Sequence, residues 1–181
     1  MVKSAYSFAT KKEIIAQHII VVWVDNESGV LARVVGLFSG RGYNIDSLAV
    51  AEVDKKKNIS RITISTSGTP QVLQQIKLQL GKLVPVHKVA NFPSNKKTLM
   101  REMALLKVVS TRKKLEKARK LCKKYKYALL DQTEKSFVFE VSALKKEIDE
   151  LIKKLQPLGL ASASRTGVVA MTKGSEVYKQ N

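Results

Sequence analysis

One order of hydrophobic periodicities runs through this chain twice, and that order constrains the sheet it can build. Residues 18–25, HIIVVWVD, are a short apolar run rich in β-branched residues, which predicts a buried strand. After a turn-like NESG, Val30 or Leu31, Val34, Val35 and Phe38 recur at helical spacing. Ser28 is the predicted N-cap of that helix, and Gly40 and Gly42 end it. Residues 44–53 and 59–66 read as two strands joined by the hairpin DKKKN. Thr69 and Pro70 then open a helix carrying Val72, Leu73, Ile76, Leu80 and Leu83, and VHKVANF closes the unit as a fourth strand.

After a polar PSNKK linker at 93–97, the same order returns. MREMALLKVVS is a strand, and Thr111 caps a helix with Leu115, Ala118, Cys122 and Tyr125 on one face. Residues 126–132 and 135–142 are two further strands. Ser142 is the predicted cap of a helix bearing Leu144, Ile148, Leu151, Ile152 and Leu155. GLASASRTGVVAMTKG forms the last strand. Strand, helix, strand, strand, helix, strand is the ferredoxin-like βαββαβ arrangement, two helices on one face of a four-stranded antiparallel sheet. The expectation is therefore an α+β chain of two such units, 17–92 and 99–174. The second face of each sheet is either solvated or buried against another element.

No catalytic constellation accompanies these elements. GRG lacks the GxxxxGK[ST] spacing of a phosphate loop, and neither GxSxG nor HExxH occurs. Cys122, the single cysteine, lies on an apolar helical stripe and reads as a core thiol suited to a reducing compartment. His18 and His87 have no metal-ligand spacing. No apolar run reaches the length of a membrane span, and the N-terminal stretch lacks the apolar core of a secretory signal. These features point to the cytoplasm, with a plastid stroma as the alternative.

Charge is unevenly spread. The net +18 divides into +6 over residues 1–93 (12 Lys/Arg, 6 Asp/Glu) and +12 over 94–181 (21 and 9). The helix TRKKLEKARKLCKKYKY carries a cation at nearly every non-core position. Such a face is either a solvated surface or a binding face for phosphates or an acidic partner. Poor aromatic interleaving disfavours nucleic acid, which stands as the runner-up function through residues 111–126.

The turn after the first strand carries more specific chemistry. A strand leads through D-N-E-S-G into a helix, and R-G-Y-N-I-D-S leads into the next strand. A helix N-terminus presents unpaired N–H groups and partial positive charge, which suit a carboxylate. Asn26 and Asn44 offer both donors and acceptors, as the two ends of a zwitterion require. From the residues alone, the turn and the ligand readings stay open. Asp25, Glu27 and Asp46 read as capping or solvated carboxylates.

DNESGVLARVVGLFSGRGYNIDSLAVAEV, residues 25–53, closely resembles the first segment of the small regulatory subunits of acetohydroxyacid synthase, also called acetolactate synthase. The similarity continues through SRITISTSG, VLQQIKLQLGKLVPVHKV and REMALLKV, and ends in SRTGVVAMTKG. Residues 110–160 match in pattern only. The resemblance implies an N-terminal ACT domain, an amino-acid-binding module that pairs side by side with a second copy, and a C-terminal ACT-like domain. It implies a non-catalytic chain that activates a catalytic large subunit in branched-chain amino acid biosynthesis. Feedback inhibition by valine, or by leucine or isoleucine, follows from the same resemblance. Thiamine diphosphate, magnesium and FAD would belong to the large subunit, and this chain would hold no cofactor. Carried over by position, Asn26, Ser28, Gly29, Val30 and Leu31 would form one half of the effector site. Asn44 and Ile45 would come from the neighbouring chain. The basic excess of the second unit and the extension before His18 lie outside the resemblance.

Overall fold

The computed structural model describes residues 15–92, 97–125 and 127–175. The stretch before Ile15, most of the predicted linker and Lys126 lie outside the described residues.

Strand β1 (Ala16–Asp25) is buried along six consecutive positions. Its run is continuous rather than alternating because both faces of the sheet are covered. Ile20, Val22 and Val24 point toward helices α1 (Val30–Ser39) and α2 (Pro70–Leu80). Ile19, Val21 and Trp23 point the other way. With β2 (Ser47–Asp54), β3 (Ile59–Gly68) and β4 (Val86–Phe92), this strand makes an antiparallel sheet of order β2-β3-β1-β4. The second unit repeats the topology. β5 (Thr98–Val109), β6 (Tyr127–Gln132), β7 (Ser136–Ala143) and β8 (Leu160–Arg165) lie in the order β6-β7-β5-β8. Helices α3 (Arg112–Cys122) and α4 (Lys145–Leu155) cover one face over Leu106, Phe139, Val141 and their neighbours.

The second face of the first sheet is covered by the second unit. β5 is long, and its first residues, Thr98–Arg101, pair with β9 (Val169–Thr172) rather than with β7. This two-stranded ribbon lays Met100, Val168 and Ala170 against Ile19, Val21, Trp23, Ile59, Ala90 and Phe92. The two units thus share a third apolar core.

Local chemistry differs from the sequence expectation at four places. Gly29, not Ser28, caps α1, because the chain enters the helix through a left-handed residue at φ +82°. α1 buries Leu37 beside Val30, Val34 and Phe38, while Leu31 stays 41% exposed. Ser142 remains in β7, and Leu144 caps α4, its N–H donating to Glu147 Oε2 at 2.8 Å. The last predicted strand breaks at Thr166–Val168 into β8 and β9. Gly167 sits there at φ +78°, where only glycine is free of strain. Thr69 caps α2 as its sequence predicts, Oγ1 accepting from the Val72 N–H at 3.4 Å.

Candidate functional site

The first half of the site is the turn from β1 into α1. Asn26 is pinned to the β2–β3 hairpin: its N–H donates to the Asn58 carbonyl at 2.7 Å, and its Oδ1 accepts from Ser60 Oγ at 3.0 Å. That leaves the Asn26 amide nitrogen as a free donor among the described residues. One residue back, Asp25 holds His87 Nε2 at 2.6 Å, so the His87 of β4 is a clamp on this end of the sheet. Gly29 carries no neighbour within 4 Å of the position a β-carbon would take. The turn is open above Gly29, and its glycine is required by backbone conformation rather than by crowding.

Val30 donates its N–H to the Glu27 carbonyl at 3.3 Å, and its side chain is buried in the core. It therefore offers a ligand neither its donor nor its side chain. The N–H groups of Leu31 and Ala32 lie in the first helical turn, where an α-helix supplies no acceptor. These donors, the Asn26 amide and the exposed Leu31 side chain together fit a carboxylate with an apolar substituent.

The second half is the entry into β2. Asn44 is exposed, and its Nδ2 donates to Asp46 Oδ1 at 2.7 Å. Its carbonyl accepts from the buried Thr66 hydroxyl at 2.6 Å. Asp46 is held in turn by Ser67, whose hydroxyl donates to Oδ2 at 2.9 Å, and by its own N–H on the Ser65 carbonyl. Asn44 Oδ1 is thereby left facing outward as an acceptor beside a carboxylate, which suits an ammonium group. Ile45 between them is half-buried against the helix-side core. Asp46 was read from sequence as a capping or solvated residue. The signal that singles it out is its spacing of two from Asn44, which puts both side chains on one side of an extended segment.

One chain does not bring the halves together. Asn26 is anchored beside Ser60 and Asn44 beside Thr66, six positions apart along β3. At ~3.3 Å per residue that separation is about 20 Å.

The second half touches the other unit. The Val168 N–H donates to Ser47 Oγ at 3.4 Å, and a β-carbon on Gly167 would lie 3.1 Å from that of Ser47. Arg61 secures the same junction. Its guanidinium lies 5.5 Å from the Trp23 ring centroid and 5.8 Å from that of Phe92, and it donates to the Ala170 carbonyl. Burial lowers its pKa below the ordinary arginine value. Immediately before the break, Arg165 grips buried Glu102 with two hydrogen bonds of 2.8 Å and Asp149 of α4 with one of 2.6 Å. Its hydrogen bond to Glu102 raises the arginine pKa further.

Catalytic alternatives find little support. Burial pushes the Cys122 thiol up to about 12, so it is protonated at neutral pH. Among the described residues, no group of three His, Cys, Asp or Glu side chains is disposed to hold a metal. No described helix is long and apolar enough to cross a membrane.

Residues 20–88 match the family model described as an acetohydroxyacid synthase small subunit-like ACT domain, and residues 101–174 match the model for the small subunit of acetolactate synthase. The acetolactate synthase small subunit of Haemophilus influenzae is 37% identical over 161 residues, spanning 88% of this chain and 98% of that protein. The probable small subunit of Archaeoglobus fulgidus is 34% identical over 160 residues, spanning 88% and 99%. The crystal structure of the small subunit from Thermotoga maritima superposes with a TM-score of 0.81 at 30% identity, covering 89% of this chain and 99% of that one. Two ferredoxin-like units in this order, matched along nearly their whole length, place the chain in the family of acetolactate synthase small subunits, which are the regulatory rather than the catalytic subunits of that enzyme.

Proposed function

We propose that this chain binds a branched-chain amino acid, valine first among them, across the interface of a homodimer, and that occupancy feeds back on an acetolactate synthase large subunit that the chain otherwise activates. The observation that carries the reading is the separation of two chemically complementary half-sites. Donors suited to a carboxylate stand at one end of the first sheet, and acceptors suited to an ammonium stand at the other. The sheet edge supports their union. β2 is an edge strand, so one row of its backbone groups has no ladder partner among the described residues. Val50 and Val53 on it are 44% and 49% exposed. Antiparallel pairing of β2 with its copy would bring the Asn44 end of one strand beside the hairpin end of the other, where Asn26 is anchored. A two-fold axis would generate two equivalent sites. Ile45 and Leu31 would contact the branched side chain.

On this reading thiamine diphosphate, magnesium and FAD belong to the large subunit, where pyruvate is converted to 2-acetolactate. Reconstitution tests it. The chain is mixed with its cognate large subunit, acetolactate formation is followed, and valine is titrated. Activation by the chain and inhibition by valine only in its presence are expected. A large subunit indifferent to both would refute the reading. Calorimetry with valine, leucine and isoleucine then ranks the effectors.

A further inference from the structure

The outer face of α3 is cationic without compensation. Lys113, Lys117 and Lys120 recur at spacings of four and three, which aligns them in one stripe, and Lys124 follows in the turn after the helix. The stripe lies opposite the buried Leu115, Ala118 and Cys122, and all four lysines are exposed. Across residues 111–125 eight Lys/Arg stand against the single acid Glu116. Among the described residues, none of these cations makes an ion pair or hydrogen bond.

The arrangement also works against the helix itself. Arg112, Lys113 and Lys114 occupy the first turn, which holds no acid and where the helix dipole disfavours positive charge. Neighbouring lysines along the stripe repel one another. α4 of the same unit also opens on lysines, Lys145 and Lys146, but it interleaves Glu147, Asp149 and Glu150 with its four lysines. Lysine is thus common to both helices, and what sets α3 apart is its lack of acids, Glu116 alone against three on α4. Of the two helices only α3 leaves its positive charge uncompensated, the pattern expected where a surface is shaped for something outside the chain.

We infer that the Lys113–Lys117–Lys120 face of α3, continued by Lys124 in the turn after it, is a docking surface for an acidic patch on the catalytic large subunit. The inference rests on the function proposed above and adds the place and chemistry of contact. A protein occupant is favoured over nucleic acid on two grounds. The stripe is wholly lysine, without the planar forks that grip phosphates in pairs. The tyrosines beside it, Tyr125 and Tyr127, pack on the core rather than standing out to stack on bases.

The test reverses the stripe in the full chain as K113E/K117E/K120E, with a K113Q/K117Q/K120Q partner and a K153E/K154E control on α4. Association with the purified large subunit is measured by sedimentation across a salt series, together with activation. Valine binding by the chain alone is followed by calorimetry. The wild-type association is expected to weaken as salt rises. The Glu variant should lose at least tenfold in affinity, the Gln variant less, and the α4 control little. All variants should keep wild-type valine affinity and circular dichroism. Glu and Gln variants that assemble and activate like wild type would overturn the inference. So would stripe variants that assemble normally but lose salt-sensitive binding to a random-sequence duplex, which would assign the face to nucleic acid. A wild-type chain that neither binds nor activates the large subunit overturns the proposed function itself, a result readily told apart from the others.

Discussion

Gly29 concentrates the chemistry of the proposed effector turn in one residue. Its φ of +82° costs a non-glycine residue about 1–2 kcal/mol, yet a β-carbon there meets nothing. Gly29→Asp should therefore fold, and its carboxylate would occupy the place offered to the ligand's own. Valine inhibition is expected to vanish while activation of the large subunit persists. Equal loss of both in the reconstituted assay would argue against this site. Asp46→Asn keeps the shape of the Asn44–Asp46 pair but removes its charge. Charge-assisted hydrogen bonds contribute about 1.5–3 kcal/mol, so valine affinity by calorimetry should fall roughly ten- to a hundredfold. Arg165 carries stability instead. Replacing it with alanine leaves Glu102 buried and unpaired, at a cost of about 3–5 kcal/mol that urea denaturation should register.

At the scale of elements, the strands and the apolar helical stripes are legible in the sequence because their periodicities are local. Val34, Phe38, Leu73, Ile76 and Leu80 are buried as their spacing predicts. The ends of elements are less legible. Ser28 looks like a cap, but the chain reaches α1 through a left-handed glycine, which side-chain preference does not reveal. The final strand reads as one because nothing local announces its break. The break depends on Gly167 meeting Ser47, 120 positions earlier in the chain (167 − 47). The proposed effector residues come from resemblance alone, since Asn26 and Asn44 by themselves fit a turn as well as a ligand. The Asp46 carboxylate is not singled out even by resemblance, because what fixes it is Ser67, 21 residues away on β3. Edge strand β2 supplies the prediction that belongs to this scale. Val50→Lys places a charge on an edge that the proposal pairs with its copy. Sedimentation should find a monomer, and calorimetry should find valine binding lost with it. A monomer that still binds valine would contradict the shared site.

The whole molecule is two sheets joined by a third core, which both units line. Trp23, the only tryptophan, is 6% exposed between the units. Its emission should therefore shift to the red in a fragment ending at residue 92, where the face that Met100, Val168 and Ala170 cover would meet water. Unshifted emission would mean that the first unit covers this face unaided. The same junction places Gly167 and Val168 against Ser47, directly after the Asn44–Asp46 segment. An effector bound there, as proposed, would have a physical contact through which to bias the second unit.

In the proposed dimer, neither half-site binds an amino acid without its partner chain. Complementation between two defective chains puts that to the test. Gly29→Asp spoils one half and Asn44→Ala the other, so each homodimer has two broken sites. A mixed dimer of the two variants would hold one site with both halves intact. Calorimetry should detect no valine binding to either variant alone and one site per mixed dimer, isolated by differential tags. A mixed dimer as silent as its parents would contradict a site shared between chains.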